Sequence, residues 1–188
     1  MISRDVDVIK YMMENKDQEL NISTISKGLK LDYKNGHEMA MRLAKKGIIS
    51  LNAFGKSLKA TLNVKPNPLV YEAEYLRRNE VSKDIKTIID YYDRNMKSNF
   101  YIMLLFGSYA KKTATKHSDI DLLFIVPDES KIEKNIEQIA AMLPLDIHLN
   151  IFEEKDFVAM KDSKKITVGS EAMKNNVILH GIEAYYSL

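Results

Sequence analysis

The segment 105–122, which reads LFGSYAKKTATKHSDIDL, constrains the fold of this chain more than any other feature. An apolar stretch ends at a Gly-Ser pair, and after ten intervening residues an Asp-Ile-Asp triplet opens a second apolar stretch. Because side chains along a strand alternate between two faces, Asp119 and Asp121 are predicted to share one face. The opposite, buried face then takes Ile120, Leu122 and Phe124. The segment therefore predicts two buried strands, with a pair of carboxylates where the second begins.

The chemistry of this segment suits a nucleoside triphosphate held together with metal ions. Two carboxylates about 7 Å apart on a rigid strand can hold a pair of Mg²⁺ ions. Gly107 has no Cβ that would keep the backbone away from a phosphate. The Ser108 hydroxyl, at the start of a helix predicted from about Tyr109, can donate to phosphate oxygens. The alternative is a surface turn followed by solvated acids at the start of a strand.

In the order and spacing of these residues the chain resembles the nucleotidyltransferase superfamily that includes DNA polymerase β, and within it the small minimal nucleotidyltransferases of bacteria and archaea. The resemblance covers about half of the chain. It implies a small α/β palm with a mixed sheet, and the transfer of a nucleoside monophosphate, taken as AMP from ATP. Asp119 and Asp121 would hold two Mg²⁺ ions, and Gly107, Ser108 and Lys111 would bind the phosphates.

The same resemblance implies a third carboxylate on a neighbouring strand, and Asp146 is the best match. It lies in LPLDIHLNIF, where apolar residues alternate with more polar ones. Its expected role is that of a metal ligand or of the general base for the acceptor hydroxyl, and Glu153 is the next candidate. An ordinary surface aspartate is the alternative. His148 shares the face of Asp146 but is interpreted as a satisfied polar residue.

Two neighbouring lysines depart from the pattern of the family. Many relatives continue Gly-Ser-x-Ala with Arg-Gly, whereas this chain has Lys111 and Lys112. Lys111 still supplies positive charge to a phosphate, but as a point charge without the bidentate fork of a guanidinium. Lys112 stands where those relatives have a glycine, so the turn of this loop is expected to differ.

Residues 5–65 resemble the winged helix-turn-helix domains of prokaryotic regulators. Apolar spacing predicts three helices, followed by two short alternating strands with Gly55 at the turn between them. The predicted caps are Asp5 for the first helix, Asn21 or Ser23 for the second and Asp32 for the third. We therefore predict an α+β chain with a winged helix at 1–66, a linker with packing helices at 67–98 and a nucleotidyltransferase domain at 99–188.

The N-terminal part is basic, since residues 27–65 hold nine Lys or Arg and two Asp or Glu. Exposed positions of the third helix and of the wing would reach phosphates and base edges of DNA or RNA. The predicted nucleic-acid-binding residues are Tyr33, Lys34, His37, Arg42, Lys45 and Lys56. The alternative is a winged helix that binds a protein and whose lysines only keep it solvated. Operator-binding winged helices often act as dimers, so a homodimer is a further expectation.

The C-terminal part alternates strands and helices in the order of a small palm. Isoleucines at helical spacing in 85–89 and 132–139 are expected to be core residues. One helix is predicted at Leu69–Asn79, and Ser82 is predicted to cap a second. The elements predicted after these helices are a strand at 100–106, a helix at 109–115, a strand at 120–126, a helix at 131–143, a strand at 145–152, helices near 154–161 and 169–175, and a short strand at Val177–Leu179.

The composition excludes several other classes of protein. The 188 residues include no cysteine, which excludes disulfides and thiolate metal sites. No apolar run approaches the length of about eighteen residues that a membrane span needs. The N-terminus also lacks the basic-then-apolar pattern of a secretory signal. We therefore expect a cytoplasmic location.

Two functions of different classes fit these observations. The first is an enzyme that moves a nucleoside monophosphate with Mg²⁺ to a hydroxyl of a protein or small-molecule acceptor, while a winged helix contacts nucleic acid. Relatives of this kind modify aminoglycosides or act as antitoxins that attach AMP to a partner protein. The second is a DNA-binding transcriptional regulator that uses the palm as a nucleotide sensor. A purely structural adaptor is the third and weakest reading of the sequence.

Overall fold

The chain folds into two compact units, Met1–Arg77 with Ser187 and Arg78–Tyr186 with Leu188. The computed structural model describes residues 3–55, 57–63, 65–127, 129–161 and 167–188, and within them it does not describe the side chains of 129–131 and 161. Among the described residues no helix is long and apolar enough to cross a membrane.

The first unit contains helices followed by a two-stranded hairpin, in the order predicted from the sequence. Its elements are α1 (Arg4–Glu14), α2 (Ile22–Gly28), α3 (Tyr33–Lys45), β1 (Ile49–Phe54), β2 (Ser57–Leu62) and α4 (Pro68–Asn79). The strands β1 and β2 pair antiparallel. The hairpin is joined to the segment before α2, because the Ala60 amide donates to the Leu20 carbonyl at 2.8 Å. Buried side chains of α1, α2 and α3 form the core of this unit.

The ends of the three helices are set mainly by polar side chains. Asn21 caps α2 and Asp32 caps α3, as predicted. The predicted cap of α1 was wrong, since the Ser3 hydroxyl accepts from the Asp5 amide and Asp5 lies inside the helix. Ser3, the residue immediately before the helix, satisfies one of the free amides of its first turn, which leaves the Asp5 side chain available for another partner.

Asp5 pairs with two basic side chains of the α3 region. It is 3% exposed, and it accepts from Arg42 Nε at 3.1 Å and from Lys46 Nζ at 3.1 Å. A buried carboxylate without such partners would be strongly unfavourable. The Arg42 guanidinium, helped by Lys46, therefore holds the pKa of the Asp5 carboxyl below its ordinary value of 3.8.

This ion pair predicts how stability depends on acid. Because the folded pKa of Asp5 is depressed, its contribution to stability is complete above about pH 3.8 and is lost as the pH falls through the folded value. We expect Asp5→Asn to be less stable than wild type at neutral pH and to lose less stability between neutral pH and strong acid. Urea unfolding over that range measures both effects. Asp7→Asn, on the exposed side of α1, is the control, and an unchanged acid slope in Asp5→Asn would contradict the assignment.

Gly36 allows α2 and α3 to approach each other closely. A Cβ built on Gly36 would lie 1.9 Å from the Ser26 Oγ atom, and Ser26 is itself buried, with its hydroxyl donating to the Ile22 carbonyl at 2.7 Å. The glycine therefore has a packing role that offsets its helix propensity, which is about 1 kcal/mol worse than that of alanine.

We expect Gly36→Ala to destabilise the protein by about 1–3 kcal/mol, because overpacking outweighs the gain in helix propensity. Denaturant unfolding measures this difference. The double variant Ser26→Ala/Gly36→Ala removes the Oγ atom and is expected to recover part of the loss. A Gly36→Ala protein more stable than wild type would show that the two helices can separate without cost.

The second unit is built on a four-stranded mixed sheet with the strand order β5-β4-β3-β6. Strand β4 pairs antiparallel with β3 and parallel with β5, and β3 pairs antiparallel with β6. The elements are α5 (Lys83–Asn95), β3 (Ile102–Phe106), α6 (Gly107–Ala110), β4 (Ile120–Val126), α7 (Glu129–Ala141), β5 (Ile147–Glu153), α8 (Glu154–Lys161), α9 (Val168–Lys174), β6 (Val177–His180) and α10 (Ile182–Tyr185).

One face of this sheet packs against α5 and α7. Leu122 and Phe124 of β4 lie in one apolar cluster with the predicted core isoleucines of both helices. Tyr92 of α5 is fully buried and donates its hydroxyl to the Ile136 carbonyl of α7 at 3.1 Å. The even-numbered residues of β4 thus face the helices α5 and α7, and the side chain of Asp121 lies on the opposite face of the sheet.

Several boundaries in this unit differ from the prediction, and those next to the motif differ as follows. The helix after the Gly-Ser pair is one turn long, Gly107–Ala110, instead of spanning 109–115. Strand β3 begins at Ile102 and not at 100, and β5 begins at Ile147, so Asp146 precedes the strand. Lys112, which takes a left-handed φ of 58°, turns the chain after α6. The left-handed region interrupts a right-handed helix, which explains why α6 is short.

Candidate active site

Gly107 lies directly beside the carboxylate of Asp121. The antiparallel register places Phe106 opposite Asp121, so the residue after β3 meets the beginning of β4. Gly107 has a φ of 66°, and a Cβ built on it would lie 2.0 Å from the Asp121 Oδ2 atom. Only a residue without a side chain fits this position. The structure therefore joins the two halves of the sequence motif at one point.

The two aspartates of the motif flank a buried isoleucine. Ile120 is buried, whereas Asp119 is exposed and Asp121 is partly exposed. This is the alternation that the sequence predicted for the start of this strand. Asp119 precedes β4 and Asp121 is its second residue, so both lie at the edge of the sheet where α6 begins.

Asp146 reaches the same edge of the sheet from the neighbouring strand. Its carbonyl accepts from the Ile120 amide at 2.9 Å, and the parallel register pairs Ile120 with Ile147. Asp146 and Asp119, which precede this pair, are therefore neighbours across the two strands. The side chain of Asp146 is exposed. The backbone of Asp146 therefore lies at the same edge of the sheet as that of Asp119.

Two further side chains of β5 lie on the face of Asp121, and the sequence predicted neither of them as a site residue. His148 is paired with Asp121, and its Nδ1 atom lies 3.4 Å from Asp121 Oδ1. Asn150, two residues further, has a buried amide nitrogen for which the described part of the chain offers no hydrogen-bond partner. The alternation in LPLDIHLNIF put both residues on the face of Asp146, but the register against β4 could not be read from the sequence.

The predicted phosphate-binding residues lie on and after α6. Ser108 is part of this single turn, and its carbonyl accepts from the Thr113 amide at 2.9 Å. In the described residues no hydrogen bond uses its hydroxyl, which leaves that group available to a ligand. Lys111 Nζ pairs with Glu171 Oε1 of α9 at 3.2 Å. No sequence pattern pointed to Glu171, which lies 60 residues from Lys111 along the chain.

The donor set of this region suits a hard divalent cation. Its side chains at Asp119, Asp121 and Asp146 offer carboxylate oxygens, which Mg²⁺ prefers. Within the described ranges no three His, Cys, Asp or Glu side chains form a group that could hold a metal ion, and this includes the three aspartates. Mg²⁺ in phosphate-transferring sites is usually held by one or two carboxylates together with substrate phosphates and water. The arrangement therefore fits an ion that binds with the nucleotide.

The predicted nucleic-acid-binding residues of the first unit fall into three groups. Tyr33 is 59% exposed, Lys34 and Lys45 are exposed, and His37 is partly buried with its ring centroid 6.0 Å from that of Tyr33. Arg42 is engaged by Asp5, as described above. Lys56 lies outside the described residues.

Comparison with known proteins identifies the family of this fold and site. The family model described as Polymerase beta, Nucleotidyltransferase matches residues 86–183, which is just over half of the chain. The chain therefore belongs to this nucleotidyltransferase family, and the four-stranded mixed sheet agrees with the predicted palm. Searches among curated proteins and among solved structures found no match.

Proposed function

We propose that the protein transfers a nucleoside monophosphate, AMP from ATP, to a hydroxyl group of a protein or small-molecule acceptor with the help of Mg²⁺. The observation that carries this proposal is the contact between Gly107 and the Asp121 carboxylate at the start of β4. It brings a phosphate-sized backbone turn and a metal-binding carboxylate to the same point. Family membership supports nucleotidyl transfer in general.

Two groups of residues would bind the metal ions and the phosphates. Asp119 and Asp121 would hold two Mg²⁺ ions, which neutralise the triphosphate and lower the pKa of the attacking hydroxyl. The Gly107 backbone and the Ser108 hydroxyl would bind phosphate oxygens, with Lys111 adding positive charge. These groups hold the α-phosphate in place for in-line attack by the acceptor.

Asp146 would act as the third carboxylate, either as a metal ligand or as the base that receives the proton of the acceptor hydroxyl. Its exposed side chain supports both roles, since an acceptor has to approach the site from solvent. The exposure of Asp119 and Asp146 also leaves room for an acceptor as large as a protein side chain.

Incubation with Mg²⁺ and each nucleoside triphosphate labelled at the α-phosphate, with and without host lysate, tests this proposal. Label on a protein or on a small molecule establishes transfer, and the labelled base shows the nucleotide preference. Absence of any labelled product, with every triphosphate and with lysate, would refute the proposed activity.

We further propose that the first unit is a winged helix that contacts nucleic acid through α3. The order of three helices and a hairpin supports this, as do the exposed side chains of Tyr33, Lys34 and Lys45. Arg42 is a weaker candidate, because Asp5 already neutralises its charge. Binding of a fluorescent duplex at several salt concentrations, with and without ATP, measures this contact. Duplex affinity that depends on ATP, in a protein that transfers no label, would instead favour the regulator with a nucleotide sensor.

A further inference from the structure

His148 stands next to Asp121 on the neighbouring strand. Strands β4 and β5 are parallel and in register at this pair, so the two side chains emerge on the same face of the sheet. The His148 side chain is 67% exposed, and its Nδ1 atom lies 3.4 Å from Asp121 Oδ1. Core packing therefore does not account for the imidazole, and the separation exceeds that of an ordinary N–H···O hydrogen bond.

The separation of these two atoms is close to that of two neighbouring ligands of one metal ion. Adjacent ligands of an octahedral ion with bonds of about 2.1 Å lie about 3.0 Å apart. A small movement of the exposed ring would bring its nitrogen and the Asp121 oxygen to that distance. Imidazole is a common ligand of transition metals, whereas Mg²⁺ is bound mainly through carboxylates, carbonyls and water.

We propose that His148 is a metal ligand that gives this site a preference for Mn²⁺ over Mg²⁺. The inference rests on the proposed function, because it assigns the ion held by Asp121. Mn²⁺ accepts carboxylate and phosphate oxygens as Mg²⁺ does, and unlike Mg²⁺ it belongs to the first-row transition metals, whose affinities for nitrogen-containing sites form one series with Mn²⁺ at its weak end. The remaining ligands would be nucleotide phosphates, water and the other carboxylates of the proposed site.

A role in which His148 only orients Asp121 predicts a different result. If the imidazole acted through the carboxylate, its removal would weaken Mg²⁺ and Mn²⁺ alike, since both ions bind that oxygen. If the imidazole binds the ion itself, its removal weakens Mn²⁺ selectively and abolishes a nitrogen signal. Ion selectivity and spectroscopy therefore separate the two roles.

The experiment measures Mn²⁺ binding to the full chain by electron paramagnetic resonance, in the presence of a non-hydrolysable ATP analogue and with Mg²⁺ as competitor. For His148→Ala we expect Mn²⁺ affinity to fall about tenfold or more, and Mg²⁺ affinity to change less than about twofold, because oxygen ligands dominate its binding. Electron spin-echo modulation from ¹⁴N should be present in wild type and absent in His148→Ala. His117→Ala, which removes an exposed imidazole from the loop before Asp119, should behave as wild type.

Two results would overturn this inference and would be distinguishable from failure of the proposed function. Equal weakening of both ions, or bound Mn²⁺ without a ¹⁴N signal, refutes ligation by His148 while label transfer with Mg²⁺ continues. If wild type and Asp121→Asn bind neither ion with the nucleotide analogue, the inference and the proposed metal-dependent function fail together.

Discussion

Replacement of Asp121 by asparagine is expected to lower the rate of nucleotidyl transfer by about 10³-fold or more, with the fold retained. The amide has nearly the same shape as the carboxylate, so the contact with Gly107 and the core of β4 remain. It has no negative charge with which to hold a divalent ion on the triphosphate. A loss of this size corresponds to about 4 kcal/mol of transition-state stabilisation, which is in the range expected for metal catalysis.

Single-turnover transfer of α-labelled nucleotide measures this effect, and circular dichroism checks the fold. Asp90→Asn is the matched control, because Asp90 is an exposed aspartate of α5 and lies outside the motif. The control should transfer label at the wild-type rate. If Asp121→Asn kept a tenth or more of the activity, the carboxylate would not be the metal ligand of this reaction.

Replacement of Gly107 by alanine is expected to damage stability and activity together. The left-handed backbone costs a residue with a Cβ about 1–2 kcal/mol, and the new methyl group would meet the Asp121 carboxylate at 2.0 Å. Either the turn or the carboxylate has to move. We expect a destabilisation of about 1–3 kcal/mol and a loss of about 100-fold in kcat/KM, because misplacement by about 1 Å is enough for that effect.

Gly47→Ala separates the two causes. Gly47 has a φ of 70° after α3, and nothing lies within 4 Å of a Cβ built there. In this variant only the left-handed backbone is unfavourable, so we expect a destabilisation of about 1 kcal/mol. The variant should transfer nucleotide as wild type does. A Gly107→Ala enzyme with normal kcat/KM would show that the close contact with Asp121 has no part in the reaction.

The sequence was sufficient where short-range patterns decide the structure. The two-residue period predicted that Ile120 is buried between two more exposed aspartates, and the structure confirms it. The spacing of apolar residues likewise predicted the helices on either side of the motif, and the resemblance to nucleotidyltransferases implied the mixed sheet of the palm. The Gly-Ser turn and the aspartates were predicted to act together, and the backbone of β3 and β4 brings Gly107 to Asp121.

The sequence was insufficient where partners are far apart along the chain. The pair of Asp5 with Arg42 spans 37 residues, and that of Lys111 with Glu171 spans 60. Neither separation has a periodic signal, since tertiary packing alone decides which charges meet. The pairing of His148 with Asp121 was not predicted for the same reason, because the register between β4 and β5 depends on how both strands pack. The early end of α6 was not predicted either, because it depends on the left-handed backbone of Lys112, and lysine rarely adopts that conformation.

A comparison of ATP labelled at the α-phosphate with ATP labelled at the γ-phosphate, using wild-type protein, Mg²⁺ and host lysate, decides which group the protein transfers. Nucleotidyl transfer predicts that only the α-label is retained on the acceptor, with one pyrophosphate released for each transfer, and that Asp121→Asn retains neither label. Retention of the γ-label would show phosphoryl transfer, and retention of the α-label by Asp121→Asn would show a reaction that does not use this site. Either of these results would contradict nucleotidyl transfer at the site formed by Gly107 and Asp121.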